Sequence, residues 1–368
     1  MNLSELSAPL AAFGRQAQFQ QITRSLTRDA DLLIAGVPGS GRRTLVRRAA
    51  EEVGAKTIEV DCIRATDGQR FVQLLCEGIS QAVKSPGAIA FLRQWSTEEA
   101  AEFFVLSEIQ DRLRLKLKLP ATQTQLWQAY EILLQLPQQL AESVKRQVVL
   151  ILHGFPHIRA WDRNARWETP LRREIERHTA VSYVLVATIA ETSSFDEEAG
   201  QTLEIVQLAP LADDVVAAWA REVLYREGLK FDPRSQALDR FLNAVQGHIG
   251  DASTLMRRLC NARPENEQIG DREIEQTLQE LLADLSTVFE SLLVLLPASQ
   301  VQLLESLALD PTEKPQSREY IQKHRLSRGG SLQGAIAGLQ HKGLIYGSNL
   351  GYKIALPLFA LWIRKRLG

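Results

Sequence analysis

Residues 32–44 read Leu32-Leu33-Ile34-Ala35-Gly36-Val37-Pro38-Gly39-Ser40-Gly41-Arg42-Arg43-Thr44, and the helix they open closes at Val53-Gly54. An apolar run, a turn built on Gly and Pro, and a helix start make a strand–loop–helix unit. Its glycines allow backbone N–H groups to curl around an anion at a helix N-terminus. Gly36, Pro38, Gly39, Ser40, Gly41, Arg42, Arg43 and Thr44 are therefore the candidate nucleotide-binding residues. The same stretch argues against hydrolysis. Phosphate loops of this type place Lys and then Ser or Thr directly after the last Gly, and Arg42 and Arg43 stand there instead. A wide planar guanidinium does not replace a compact ammonium in a tight cradle. A cation at Arg43 cannot ligate Mg²⁺ and repels it. Thr44 reaches the metal only through a one-residue slip, which turns its hydroxyl by about 100° around the helix axis.

Outward from the loop, further short apolar runs cover Thr57 to Val60, Val148 to Leu152, Tyr183 to Ala187 and Leu203 to Leu208. Such runs suit strands buried on both faces of a parallel sheet, and helical segments separate them, so the expected fold is a doubly wound α/β domain. Residues 69–146 read as helix throughout, with Thr97 to Leu119 stopped by Pro120 and Gln123 to Leu136 stopped before Pro137. Hydrolysis also needs a carboxylate at the end of the third strand to hold the metal, and usually a second to polarise water. His153 and Gly154 occupy those places.

After Pro210 the pattern is helical only, as in Val215, Val216, Trp219 and Val223. The expected organisation is a core over residues 1–210, a helical lid over 211–290 and a winged helix over 291–368. The last unit rests on helices Ser299–Leu309, Ser317–His324 and Gly330–Lys342, then a hairpin of Leu344–Tyr346 and Tyr352–Ala355.

Lys plus Arg number 43 and Asp plus Glu 44, so no global field draws the chain to nucleic acid or membrane, and such binding requires a local patch. Cys62, Cys76 and Cys260 are widely spaced and odd in number, which suits a reducing cytoplasm. No signal-like start and no apolar run of about 20 residues is present, so a cytoplasmic location is expected and a membrane partner is not.

These residues together resemble the archaeal-type ATPase family, a branch of the AAA+ and STAND P-loop proteins. Phe13-Gly14-Arg15, with Phe19 and Ile22, resembles the box that those ATPases place before the first strand, although Gln16 and Gln18 replace its usual acidic residues. The loop at Gly36–Thr44 and the pair His153-Gly154 sit where the family has its Walker A and Walker B motifs. Ser317 to Ile321, Lys342 to Ile345 and Pro357-Leu358-Phe359-Ala360-Leu361-Trp362 are similar to its winged-helix tail. Gly247-His248-Ile249-Gly250-Asp251-Ala252 resembles the lid segment of replication-origin initiators, with Ser253 where those carry a γ-phosphate-sensing arginine. Thr188 stands in for the polar first sensor.

The resemblance implies a P-loop fold with its hydrolytic parts substituted: a scaffold or regulatory subunit that holds ATP or ADP without Mg²⁺, beside an active ATPase or another effector, in an oligomer such as AAA+ proteins form. Two alternatives stay open. One is an ATPase that uses Arg42 and Thr44 with Mg²⁺ held elsewhere, Asp61 being the nearest carboxylate. The other is a DNA-binding regulator whose winged helix offers Arg325, Arg328 and Lys342. His153, His157 and His178 lack the firm spacing of a zinc site. Trp161 and Trp167 read either as a partner surface or as indoles packed beneath their loop.

Overall fold

The computed structural model describes residues 14–98, 100–109, 112–118, 122–189, 203–262, 267–327, 329–347 and 350–368. Five strands, β1 (Leu32–Gly36), β2 (Lys56–Asp61), β5 (Val148–His153), β6 (Val181–Ala187) and β7 (Glu204–Leu208), form one sheet in the order β2-β5-β6-β1-β7. All four pairings are parallel. In register, His153 lies beside Asp61 on one side and Val186 on the other.

Successive strand side chains point to opposite faces, and here each face has its own helical cover. Val149 and Ile151 of β5 join Leu32 and Ile34 of β1 beneath α1 (Gln16–Thr27) and α2 (Arg42–Glu52). Val148, Leu150 and Leu152 join Leu33 and Leu185 on the other face, beneath α3 (Gly68–Ala82), α4 (Pro86–Thr97), α5 (Gln123–Val144) and α6 (Glu168–Arg177). Burial on both faces explains why β1, β5 and β6 are apolar without alternation.

The stretch 69–146 is not all helical. Between α4 and α5 lies an antiparallel ribbon, β3 (Phe104–Ile109) and β4 (Arg112–Leu117), where a helix over Thr97 to Leu119 is expected from the sequence. The physical reason is visible in Arg112-Leu113-Arg114-Leu115-Lys116-Leu117, whose charged and apolar residues alternate with period two. Pro120 lies outside the described residues. Pro137 also fails to end its helix, because α5 runs on to Val144. A proline inside a helix costs about 3 kcal/mol. Leu133, Leu134, Leu136 and Leu140 are buried on both sides of it, and each buried leucine contributes about 1.5–3 kcal/mol, so packing wins.

Beyond Leu208 the chain is helical as expected, apart from a two-residue pairing of β8 (Lys230–Phe231) with β9 (Gln268–Ile269). The helices are α7 (Asp213–Arg226), α8 (Ala237–Val245), α9 (Ile249–Ala262) and α10 (Asp271–Val294). The last crosses the expected boundary at 290. Then follow α11 (Ala298–Leu309), α12 (Arg318–His324), α13 (Gly330–His341) and α14 (Pro357–Leu367). The wing hairpin is narrower than its sequence suggests. Ile345 bridges Ile354, and Tyr352 pairs with Thr312 rather than extending the hairpin. Helix α14 is an additional element, opened by Pro357 at its first position. Lid and winged helix share one apolar core running from Leu211 to Ile363. No helix among the described residues is long and apolar enough to cross a membrane.

Candidate functional site

The loop Gly36–Gly41 turns at the C-terminal edge of the sheet, where ligands of open α/β sheets bind. Gly39 and Gly41 both take positive φ, +79° and +85°, and Gly41 sets the left-handed start of α2. A side chain at Gly39 is excluded twice over, because a Cβ there would lie 2.6 Å from the His248 ring. His248 is buried, and its Nε2–H donates to the Pro38 carbonyl at 2.8 Å. The Gly250 N–H donates to the Gly39 carbonyl at 3.0 Å. The lid therefore clamps the outer rim of the loop through two of its carbonyls. Burial acts to lower the His248 pKa, but the Asp251 carboxylate and the Pro38 carbonyl outweigh it and raise it. Asp251 also accepts the Leu358 N–H at 2.9 Å, which ties the clamp to the first turn of α14.

The cations that replace the usual loop chemistry are engaged with the protein. Arg42 donates to the Ala187 carbonyl at 2.6 Å, bridging α2 to the end of β6. Arg43, the second residue after the last loop glycine, pairs with Asp61 at 2.9 Å. His153 Nε2 lies 2.9 Å from Glu59, which Arg47 also grips. Burial acts to raise the Glu59 carboxyl, yet the hydrogen bonds from His153 and Arg47 prevail and hold it at about 2.

These elements enclose a cavity of about 880 Å³ lined by the loop, α2, the ends of β5 and β6, α7, α9 and the end of α13. From the loop and the sensor positions it takes Pro38, Gly39, Gly41, Arg42, Arg43, Thr44, His153, Gly154, Thr188 and Ser253. Gly36 and Ser40 do not line it. The Ser40 hydroxyl turns inward over Gly36, buried and without a hydrogen-bond partner among the described residues. Sequence reading missed Arg257. It lines the cavity with Ser253, Met256 and Cys260, and the spacing 253, 256, 257, 260 is one helical face. A cation one turn beyond Ser253 was therefore legible from helical periodicity. Among the residues lining the cavity, Arg42, Arg43, Arg257 and Lys342 are cations, His153, His157 and His341 are imidazoles, and none is Asp or Glu. Trp219, Val223, Ile249 and Met256 supply an apolar wall.

The winged helix closes this site from above. Gly343, at φ +67°, sits so near the loop that a Cβ would lie 2.8 Å from Pro38 and 3.3 Å from Thr188. Lys342, one of the residues read as a possible contact, is exposed, lines the cavity and donates to the Gly338 carbonyl at 3.4 Å. Arg325 is exposed after α12, and Arg328 lies outside the described residues, as does Phe13. Gly14 packs on Val215 of the lid, and Arg15 donates to the Ala209 carbonyl. Trp161 and Trp167 pack with Trp127, Phe71 and Tyr130 in one aromatic cluster. No cluster of potential metal ligands is found among the described residues.

Residues 287–365 match a family model described as "Probable winged helix domain". No curated protein matches the chain. Among solved structures, the chain is similar to the Walker-type ATPase PABY2304 of Pyrococcus abyssi, with 17% identity over 96% of both chains and a TM-score of 0.66. Matches at lower TM-scores, 0.49 and 0.47, are the Aeropyrum pernix ORC1 protein in complex with DNA and the Aeropyrum pernix ORC2 protein. They show 14% and 16% identity, over 96% of this chain and 91% and 93% of theirs. The parallel sheet, its strand order and the loop geometry thus meet in one conclusion: this chain has the fold of the Walker-type P-loop ATPases, followed by a helical lid and a C-terminal winged helix.

Proposed function

We propose that the protein is a catalytically degenerate P-loop ATPase acting as a scaffold or regulatory subunit that binds ATP or ADP without Mg²⁺ and does not hydrolyse it. The observation that carries this reading is the ion pair Arg43–Asp61 at the metal-ligating position, beside a cavity whose own lining holds four cations and no carboxylate. Phosphoryl transfer needs a metal and a base that orients the nucleophile. Arg43 repels the metal, and His153 is held by Glu59. A polyphosphate finds charge compensation in Arg42, Arg43, Arg257 and Lys342 instead. The apolar wall at Trp219 and Met256 suits a base or another flat group.

Calorimetry of ATP and ADP binding with and without Mg²⁺, alongside a phosphate-release assay, tests this. The expected result is an affinity that Mg²⁺ leaves unchanged and no phosphate release above background. Arg257→Gln should weaken binding by roughly tenfold or more, as expected for a charge-assisted hydrogen bond of about 1.5–3 kcal/mol. Mg²⁺-dependent phosphate release, abolished by Arg42→Ala, would establish the unusual ATPase instead. A cytoplasmic protein partner, whether an active ATPase or another effector, belongs to the same proposal, as does assembly into an oligomer. The reading as a DNA regulator acting through its winged helix has less support. The outward residues of α13, Ser331, Gln333, Gly334 and Ala337, are exposed and uncharged.

A further inference from the structure

The ribbon β3–β4, inserted between β2 and β5, has two unlike faces. Leu115 and Leu117, with Leu106 and Phe104 across from them, face inward. Leu115 is buried and its N–H donates to the Ser80 hydroxyl of α3 at 2.9 Å. Glu108 shares that parity and is paired with Arg93 at 2.9 Å. The other face carries Arg112, Arg114 and Lys116 opposite Ile109, Ser107 and Val105. All three basic residues are exposed, none is paired with a carboxylate among the described residues, and the described positions of this face carry no acid. Val105 and Ile109 are exposed beside them.

We propose that this face is a binding surface for the sugar–phosphate backbone of duplex DNA, independent of the nucleotide cavity. Residues two apart on a strand stand about 6.8 Å apart, close to two axial phosphate steps of about 3.4 Å on one DNA strand. A two-stranded ribbon fits the major groove, which is about 12 Å wide. The face presents no aromatic ring on which unpaired bases would stack, which favours duplex over single strands. With the whole chain carrying a net charge of −1, attraction to a polyanion must be local, and this is a local patch of one sign. Recognition rests on phosphate alone and is indifferent to sequence.

The test is fluorescence anisotropy of the full chain with a labelled random duplex of about 30 base pairs, titrated between about 50 and 200 mM salt. Three phosphate contacts contribute about −2.7 to the slope of log affinity against log salt, equal to about 40-fold over that range. The triple variant R112Q/R114Q/K116Q should lose that part of the slope. A control with the same charge change at exposed positions elsewhere, R234Q/R272Q/R318Q, should keep it. Arg114→Glu alone, at one exposed position, should weaken binding further than Arg114→Gln if the triple variant proves unstable. Three results overturn the proposal: no duplex binding by the wild type at low salt, an unchanged slope in the triple variant, or tighter binding of single strands than of duplex. An unchanged slope would mean that the charges only keep the ribbon edges from pairing with other strands.

Discussion

Replacing Gly39 and His248 singly and together measures the clamp between lid and phosphate loop. Gly39→Ala forces alanine to φ +79°, at a cost of about 1 kcal/mol or somewhat more for a left-handed residue. Its new Cβ would also lie 2.6 Å from a ring fixed by Pro38 and Asp251. The ring must move and give up its hydrogen bond to the Pro38 carbonyl, about 1.5–2 kcal/mol for a charge-assisted bond. The single variant should therefore lose about 3 kcal/mol. His248→Ala loses the same bond and leaves a cavity, about 2–4 kcal/mol together. In the double variant the steric conflict has vanished, and alanine at position 39 adds only its backbone cost. The two single losses should thus exceed the double loss by about 2 kcal/mol, read from urea unfolding by tryptophan fluorescence. Additivity within about 0.5 kcal/mol would refute the reasoning, because the ring and the glycine would then not meet.

Glu168 is buried and accepts from both Arg159 and Arg172, so Glu168→Gln removes the buried countercharge of two guanidinium groups; a loss of about 3–5 kcal/mol should appear as a lowered urea midpoint, and a loss below about 1 kcal/mol would mean that water screens the triad. Two groups give opposite pH dependences. Glu59, held at about 2, contributes stability that is complete above its unfolded value of about 4.3 and lost as pH falls through its folded one, at most about 3 kcal/mol, and Glu59→Gln should flatten the acid limb. His248, raised above its ordinary value, contributes stability that is complete below about 6.5 and lost as pH rises through its folded pKa; His248→Asn should remove that alkaline loss, and an unchanged profile would contradict the Asp251 pairing.

The sheet was legible because its strands are buried on both faces, which leaves apolar runs such as Val148 to Leu152 unmistakable. The loop was legible because only glycine satisfies positive φ at positions 39 and 41. The ribbon was hidden by length: an expected long helix absorbed the period-two pattern at Arg112 to Leu117. Pro137 misled because local propensity argues for a stop while leucines on both sides argue for continuation, and their packing outweighs the cost of the proline. At the site, the placement of Arg43 and His153 at the rim of the cavity was readable from their positions after the loop and at the end of the third strand. Their partners were not, since Asp61 and Glu59 come from a neighbouring strand and pair through tertiary register. His248 as a clamp on Pro38 was likewise invisible, 210 residues away along the chain.

The apolar core shared by lid and winged helix has a mechanical consequence. No soft layer separates the two, so they seat on the sheet as a single jaw, with His248, Gly250 and Gly343 as its teeth on the loop. A nucleotide in the cavity would lie between that jaw and the sheet, so its binding and the seating of the jaw would be coupled. A partner that favours one seating of the jaw would then change the affinity for that nucleotide, and by reciprocity the nucleotide would change the affinity for the partner by the same factor.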